Sequence, residues 1–269
     1  MATPYSGKAT QIPSRVPRIA RPPLIRSISL SDVHDALRLG WQDFNAIPSH
    51  AIILCIIYPV VGLLLVRMVL GYSVLPLLFP LSAGFALIGP FAALGLYELS
   101  RLRERGEDVT AWHVLRVLAA PAFSAMLGLG TILLGLFVIW VTVANELYVA
   151  TFGYEPAANI PDFISRILTT HAGYVLIIVG CGIGFLFAMA ALCISVVSFP
   201  FILDRHGSAR QAMRISLRAV RTNPIPMTVW GLIVAILLVI GSLPFFVGLA
   251  VVVPVLGHST WHLYRKVVA

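Results

Sequence analysis

The sequence predicts an all-α, polytopic membrane protein: six transmembrane helices arranged as repeated units, each a cytoplasmic amphipathic helix followed by a two-span hairpin. Three observations predict it. The composition is 59% hydrophobic and only 11% charged, with a mean hydropathy of +0.93, which would be insoluble as a free globule. Six apolar stretches approach the roughly 20 residues needed to cross about 30 Å of hydrocarbon. Laid across a bilayer, they leave all of the 19 Lys and Arg residues except Arg67 and Arg166 on one side. That asymmetry orients the chain, because Lys and Arg near span ends stay in the cytoplasm.

The first element is a tail, residues 1–27, in which Arg15, Arg18, Arg21 and Arg26 stand among prolines at 4, 13, 17, 22 and 23. This composition predicts a disordered, basic cytoplasmic segment. Without an apolar stretch it does not read as a cleavable signal. Residues 28–269 form one six-span membrane domain. Val33, Ala36, Leu37, Gly40, Trp41 and Phe44 follow the i, i+3, i+4, i+7, i+8, i+11 spacing of one helical face, so an amphipathic helix precedes the first span.

The spans are placed near Ala51–Gly71, Leu75–Tyr97, Ala122–Ala144, Ala172–Ser198, Ile225–Gly241 and Phe245–Leu263. The last two are divided at Gly241-Ser-Leu-Pro244, because the apolar run around them is too long for one span and Gly and Pro end helices. Prolines 59, 76, 80, 90, 200 and 254 imply kinks, since each removes a backbone donor. Gly180, Gly184 and Ala188 in the fourth span, with Gly128 and Gly135 in the third, are spaced for close helix approach, either within the chain or across a dimer face. Both termini and the turns around Arg103 and Arg214 are expected in the cytoplasm. The connection from Glu146 to His171 is expected on the far side.

Ala209, Ala212, Met213, Ser216, Leu217 and Val220 repeat the spacing of the first amphipathic helix, with Arg214 matching Arg38. Each helix runs into a similar break before a span, Asn45-Ala-Ile-Pro48 and Asn223-Pro-Ile-Pro226. A third copy is expected from Asp108 to Leu118, with Thr110 as its cap. Three such units in parallel account for six spans. In the helix from Ala209, the residues Arg210, Arg214, Arg218 and Arg221 form a basic stripe flanking the apolar face, the pattern of a helix in the headgroup plane. It is either an interface-seated connector or a recognition element for an anionic lipid or acidic partner. Headgroups thus account for the net charge of +8, and no nucleic acid is invoked.

Ionisable residues deep in a membrane mark ion and proton pathways, and the predicted span interiors have essentially none. Arg67, Glu98 and Glu146 fall at predicted ends, within reach of water. His258 and His262 share a helical face. With Ser259, Thr260, Trp261, Tyr264, Arg265 and Lys266 they read as an interfacial belt rather than a metal or haem site, for which further ligands are missing nearby. Cys55, Cys181 and Cys193 lie in apolar runs and suggest neither a disulfide nor a zinc site. A Ser/His/Asp set, a GxSxG turn, an HExxH helix and a phosphate-binding glycine loop are missing. No catalytic, cofactor-binding or metal-binding residue is expected.

The segment Pro90-Phe-Ala-Ala-Leu-Gly-Leu-Tyr97-Glu98-Leu-Ser100-Arg101-Leu-Arg103-Glu104-Arg-Gly106-Glu107 is a span that ends in Tyr-Glu and an arginine-rich turn. It resembles a bacterial family of predicted integral membrane proteins, domain of unknown function 2189. The helix with Gly40-Trp41-x-Asp43-Phe44 and the stretch from Ser198-Phe-Pro200 to Asp204 extend the similarity from about Ser27 onward. The resemblance implies a multi-pass protein of the bacterial inner membrane with no established activity, cofactor or catalytic residue, so no site is carried over. Some members resemble terminal-oxidase subunits in apolar composition, but this chain lacks the mid-span histidines of an oxidase core. The expected role is a non-enzymatic scaffold or accessory subunit of a membrane complex or homo-oligomer, with membrane lipids as partners. The alternative is a permease or lipid-handling protein with a cavity between kinked helices.

Overall fold

The computed structural model describes residues 23–47, 60, 62–64, 80–81, 93–107, 122–154, 160–244 and 246–269. In chain order these contain α1 (Leu30–Ala46), α2 (Leu94–Glu104), α3 (Phe123–Phe152), α4 (Ile160–Thr169), α5 (His171–Ser195), α6 (Ser198–Arg205), α7 (Ala209–Thr222), α8 (Pro224–Ser242) and α9 (Leu249–Val267). Beside them stands one isolated bridge, Ile25 with Val268. Most of the expected tail, nearly all of the first expected span and most of the second, and the expected helix 108–118 lie outside the described residues.

Three described stretches are long and apolar enough to cross a membrane: α3, the run His171–Arg205 and α8. At 1.5 Å per residue, the 30 residues of α3 and the 19 of α8 reach about 45 and 28 Å. Their outward faces are apolar: Leu134, Val138 and Ile139 on α3, Ile178 and Leu186 on α5, and Leu232, Val239 and Ile240 on α8 are all exposed. In water each Å² of that surface costs about 25 cal/mol, whereas among lipid tails it costs nothing. α9 overlaps the expected sixth span, but its second half carries His258, Ser259, His262, Arg265 and Lys266, and it does not join the three.

Caps explain where the helices begin. Ser29 starts α1 with a capping box: its hydroxyl accepts from the Asp32 N–H while the Asp32 carboxylate accepts from the Ser29 N–H at 2.9 Å, satisfying two end donors at once. Ser208 caps α7 and Thr170 caps α5 in the simpler way. The expected break between the last two long helices is present. There Gly241 and Gly248 touch backbone to backbone, since a Cβ on Gly248 would lie 2.8 Å from the Gly241 carbonyl oxygen.

Two helices were not expected. α4 occupies the connection expected on the far side and lies on the start of α5, with Gly173 against the Ile167 carbonyl. α6 continues the stretch expected as the fourth span after a break at Val196 and Val197, and Pro200 is tolerated because the first helical turn needs no N–H from it. The small-residue spacing is only half used among the described residues. Gly184 faces Trp140 of α3 and Gly180 faces Leu147, while side chains at Gly128 or Gly135 would meet no described atom within 4 Å.

The segment that leads into α1 is fastened to the end of α9. Arg26 donates its N–H to the Val267 carbonyl at 2.8 Å, and Ala269 to the Leu24 carbonyl at 3.0 Å. The buried amide of Asn223 accepts from the Ile28 N–H at 2.7 Å and donates to the Arg26 carbonyl at 3.0 Å. α1 therefore starts beside the end of α9 and runs antiparallel along it. α7 packs on α5 and α6, where Ser216 Oγ accepts from the Val197 N–H at 3.3 Å. The amphipathic faces were expected to meet their own hairpins. Instead α7 sits chiefly on the preceding one, because the short link through His206, with φ of 54°, folds it back onto α6.

Candidate functional site

The most concentrated polar structure in the described residues is the junction of α1, α2 and α9. Two glycines let the three backbones meet there. A Cβ on Gly40 of α1 would fall 2.0 Å from Ser259 Oγ, and one on Gly257 would fall 2.4 Å from a methyl of Leu96 on α2. α9 is thus held between α1 on one side and α2 on the other. Asp43 follows Gly40 by three residues, on the same face of α1.

Asp43 is the centre of the junction. Its Oδ2 accepts from Ser100 Oγ at 2.6 Å and from His262 Nε2 at 2.8 Å, and its Oδ1 accepts from Arg103 at 3.0 Å. Arg103 also donates to the Gln42 carbonyl at 2.9 Å. Burial pushes the Asp43 carboxyl up, but the hydrogen bonds from His262 and Ser100 and the nearby imidazoles outweigh it and hold the group below the ordinary carboxylate range. Ser100 Oγ also lies 2.7 Å from His258 Nδ1. A hydroxyl has one proton. If that proton goes to the ionised Asp43, His258 must donate through Nδ1–H, and its Nε2 keeps a lone pair. Nε2 is buried and has no hydrogen-bond partner among the described residues.

The order of these bonds decides what the cluster does chemically. In a nucleophilic triad a carboxylate orients a histidine, and the histidine takes the serine's proton. Here the serine stands between the carboxylate and His258, giving its proton to the former and receiving one from the latter. Ser100 is 1% exposed, so its oxygen is neither activated nor open to a substrate. What the arrangement does is join three helices through five side chains.

An outer layer extends the junction to α6. Glu98 is buried and pairs with the half-buried Arg101 at 2.7 Å, so Glu98 is not the water-reaching residue expected of a span end. Trp261 donates to Glu104 at 3.1 Å and Arg265 pairs with Glu104 at 3.0 Å. Tyr264 donates to Asp204 at 2.7 Å, and burial together with that carboxylate raises its phenol well above the ordinary range. Lys266 reaches Asp32 at 3.2 Å.

The expected interfacial belt on α9 is therefore an internal seam. His258, Ser259, Trp261 and Tyr264 are buried because the glycine contacts bring α1 and α2 against them, leaving no room for headgroups. Among the described residues no cluster of three or more His, Cys, Asp or Glu is arranged to hold a metal. Arg210, Arg214, Arg218 and Arg221 are elsewhere, all exposed on α7. Asp43, Ser100 and Arg103 were not singled out by spacing, being 57 or more residues apart across the Asp43–Ser100 contact. Their one signal was membership of the two motifs that carried the family resemblance.

Comparison with known proteins bears on the same residues. Residues 77–204 match the family described as predicted integral membrane protein, domain of unknown function 2189. The chain is an integral membrane protein, and its residues 77–204 are similar to that family. The matched residues take in α2 to α5 and α6 as far as Asp204, hence Glu98, Ser100, Arg101, Arg103 and Asp204, while Asp43, His258 and His262 lie outside them. The match is narrower than the similarity expected from Ser27 onward. No curated protein and no solved structure matches the chain.

Proposed function

We propose that the chain is a six-span protein of the bacterial inner membrane, with both termini in the cytoplasm, that acts as a non-enzymatic scaffold or accessory subunit of a membrane complex. The observation that carries this reading is the use of Asp43, Ser100, His258 and His262. The groups best suited to chemistry are committed to holding α1, α2 and α9 to one another, in a place closed to substrates. A rigid cytoplasmic end is what a scaffold presents to a partner.

Three repeated units are part of the proposal. It is supported by the ends of α1 and α7, where Ile47 and Asn223, each the residue that follows its helix, have nearly the same backbone, φ −136° with ψ 52° and φ −127° with ψ 55°. Both helices also use the hairpin before them in a cyclic order, α7 on α5 and α6, α1 on α9.

Two experiments test the reading. Arg105→Cys and Tyr154→Cys, in a background without the native cysteines, report sidedness in spheroplasts: position 154 should react with an impermeant thiol reagent and position 105 only after permeabilisation. The reverse pattern would end the topology. Native mass spectrometry of the full chain released in gentle detergent should show a stoichiometric second protein or a second copy. A monomer carrying stoichiometric lipid instead favours the lipid-handling alternative.

A further inference from the structure

The described cations at the junction end of the molecule are either paired with a carboxylate of this chain or exposed without one, and the second kind, which includes the single residues Arg26 and Arg105, is concentrated on α7. Arg38, Arg101, Arg103, Arg205, Arg265 and Lys266 each lie within ion-pair distance of a carboxylate of this chain. Arg210, Arg214, Arg218 and Arg221 are exposed, and none of them has a carboxylate within that distance among the described residues. They form one row at i, i+4, i+8 and i+11, about 16 Å along the helix. Like charges four residues apart repel one another, so the row is favourable only if counter-charge arrives from outside.

The row cannot turn away. On the opposite side of α7, Ala212, Ile215, Ser216, Ala219 and Val220 are buried, and Ser216 is hydrogen-bonded to Val197 of the neighbouring helix break. Its depth is set by the chain. One residue, Asn223, separates α7 from α8, a stretch apolar enough to cross a membrane, so Arg221 stands three residues from the start of that stretch. Guanidinium groups at that level meet headgroups, where a planar fork pairs with phosphate oxygens through two hydrogen bonds.

We propose that the outer face of α7 binds the phosphate groups of anionic lipids in the inner leaflet. The adjacent span favours a bilayer over an acidic protein as the source of charge. This names a partner for the proposed membrane protein and rests on the placement of the Asn223 end of α8 at the cytoplasmic surface.

The test is hydrogen exchange over residues 208–222 of the full chain in nanodiscs of phosphatidylcholine alone or with phosphatidylglycerol added. Wild type should exchange at least about fivefold more slowly with phosphatidylglycerol, the factor one surface cation contributes. Residues 30–46 should be unaffected. Lysine at all four positions should keep the slowing and glutamine should remove it. Inorganic phosphate added to phosphatidylcholine discs should not reproduce it.

Wild-type exchange indifferent to phosphatidylglycerol overturns the proposal, as does slowing that survives the glutamines or that free phosphate produces. The wild-type comparison needs no variant to fold. The labelling of Arg105→Cys and Tyr154→Cys separates the two readings. If sidedness holds and exchange is indifferent, lipid binding alone fails.

Discussion

α1 and α7 have the same spacing of apolar residues and nearly the same terminal backbone, yet they meet their surroundings by different means. Ala36 and Ala212 are both fully buried, Gly40 and Ser216 are both buried, and Phe44 and Val220 occupy the same place. The differences that involve charge are one position in the seat and three on the outside. Where α1 buries Asp43, α7 buries Ala219. Where α7 exposes Arg210, Arg214, Arg218 and Arg221, α1 exposes His34, Arg38, Gln42 and Asn45. One apolar pattern thus serves two purposes: α1 is locked to its own chain by a carboxylate, and α7 is seated by packing and keeps its charge for something outside.

The sharpest way to break this contrast is to exchange the seats. Asp43→Ala leaves the hydroxyl of Ser100 and the imidazole of His262 without their acceptor, at about 1–3 kcal/mol for each buried donor so stranded, while the exposed Arg103 turns to water. The folded fraction after heating in detergent, followed by size-exclusion fluorescence, should fall steeply. Ala219→Asp should also destabilise, because a carboxylate buried without donors is penalised. If Asp43→Ala heats like wild type, the junction is not a lock.

The close approaches give a smaller, opposed pair. Gly40→Ala drives a methyl into Ser259 and should cost about 1–3 kcal/mol of stability by overpacking. Ser216→Ala removes only an acceptor from the Val197 N–H and should cost about 1 kcal/mol. Equal losses in the same heating assay would erase the distinction between a contact made by backbones and one made by a hydroxyl.

The parts of the fold legible in the sequence are those set by local periodicity. The apolar stripes of α1 and α7 and the run that became α8 are written in consecutive residues, so their ends fall within a few positions of expectation. The junction is not local. Ser100 and His258 are 158 residues apart, and what brings them together is the absence of side chains at Gly40 and Gly257, which no spacing rule reads. The same histidines, with Trp261 and Tyr264, have an interfacial composition, and composition alone does not distinguish headgroups from another helix. α4 was hidden for a related reason: ten residues in a connection leave too short a period to separate from a loop.

Acid should act on α1 more than on α7. The Asp43 carboxyl is held below its ordinary range, as is that of Asp32 through the Ser29 backbone and hydroxyl. A depressed folded-state value gives stability that is present above the unfolded value of about 3.9 and lost as pH falls through the folded value. The melting midpoint should therefore not change on account of these groups between neutral pH and about pH 5, and should drop below about pH 4. Asp43→Asn should flatten the drop, while substitutions in α7 should leave its shape unchanged.

The smallest expected effect concerns Arg38, the only α1 residue at a position where α7 has an arginine that keeps its cation. It pairs with Asp35 at 3.4 Å, both side chains being about half exposed at 56% and 44%. An exposed pair of this kind contributes at most about 0.5 kcal/mol, so Arg38→Gln should leave the melting midpoint in detergent nearly unchanged. Arg214→Gln should do the same, since detergent supplies no phosphate. The two should part in nanodiscs with anionic lipid. There Arg214→Gln loses a charge whose partner is the bilayer, and exchange over residues 208–222 should quicken. Arg38→Gln loses one already neutralised by Asp35, and residues 30–46 should exchange as before. If both variants respond alike to anionic lipid, the paired and unpaired cations are equivalent, and the contrast between α1 and α7 reduces to Asp43 alone.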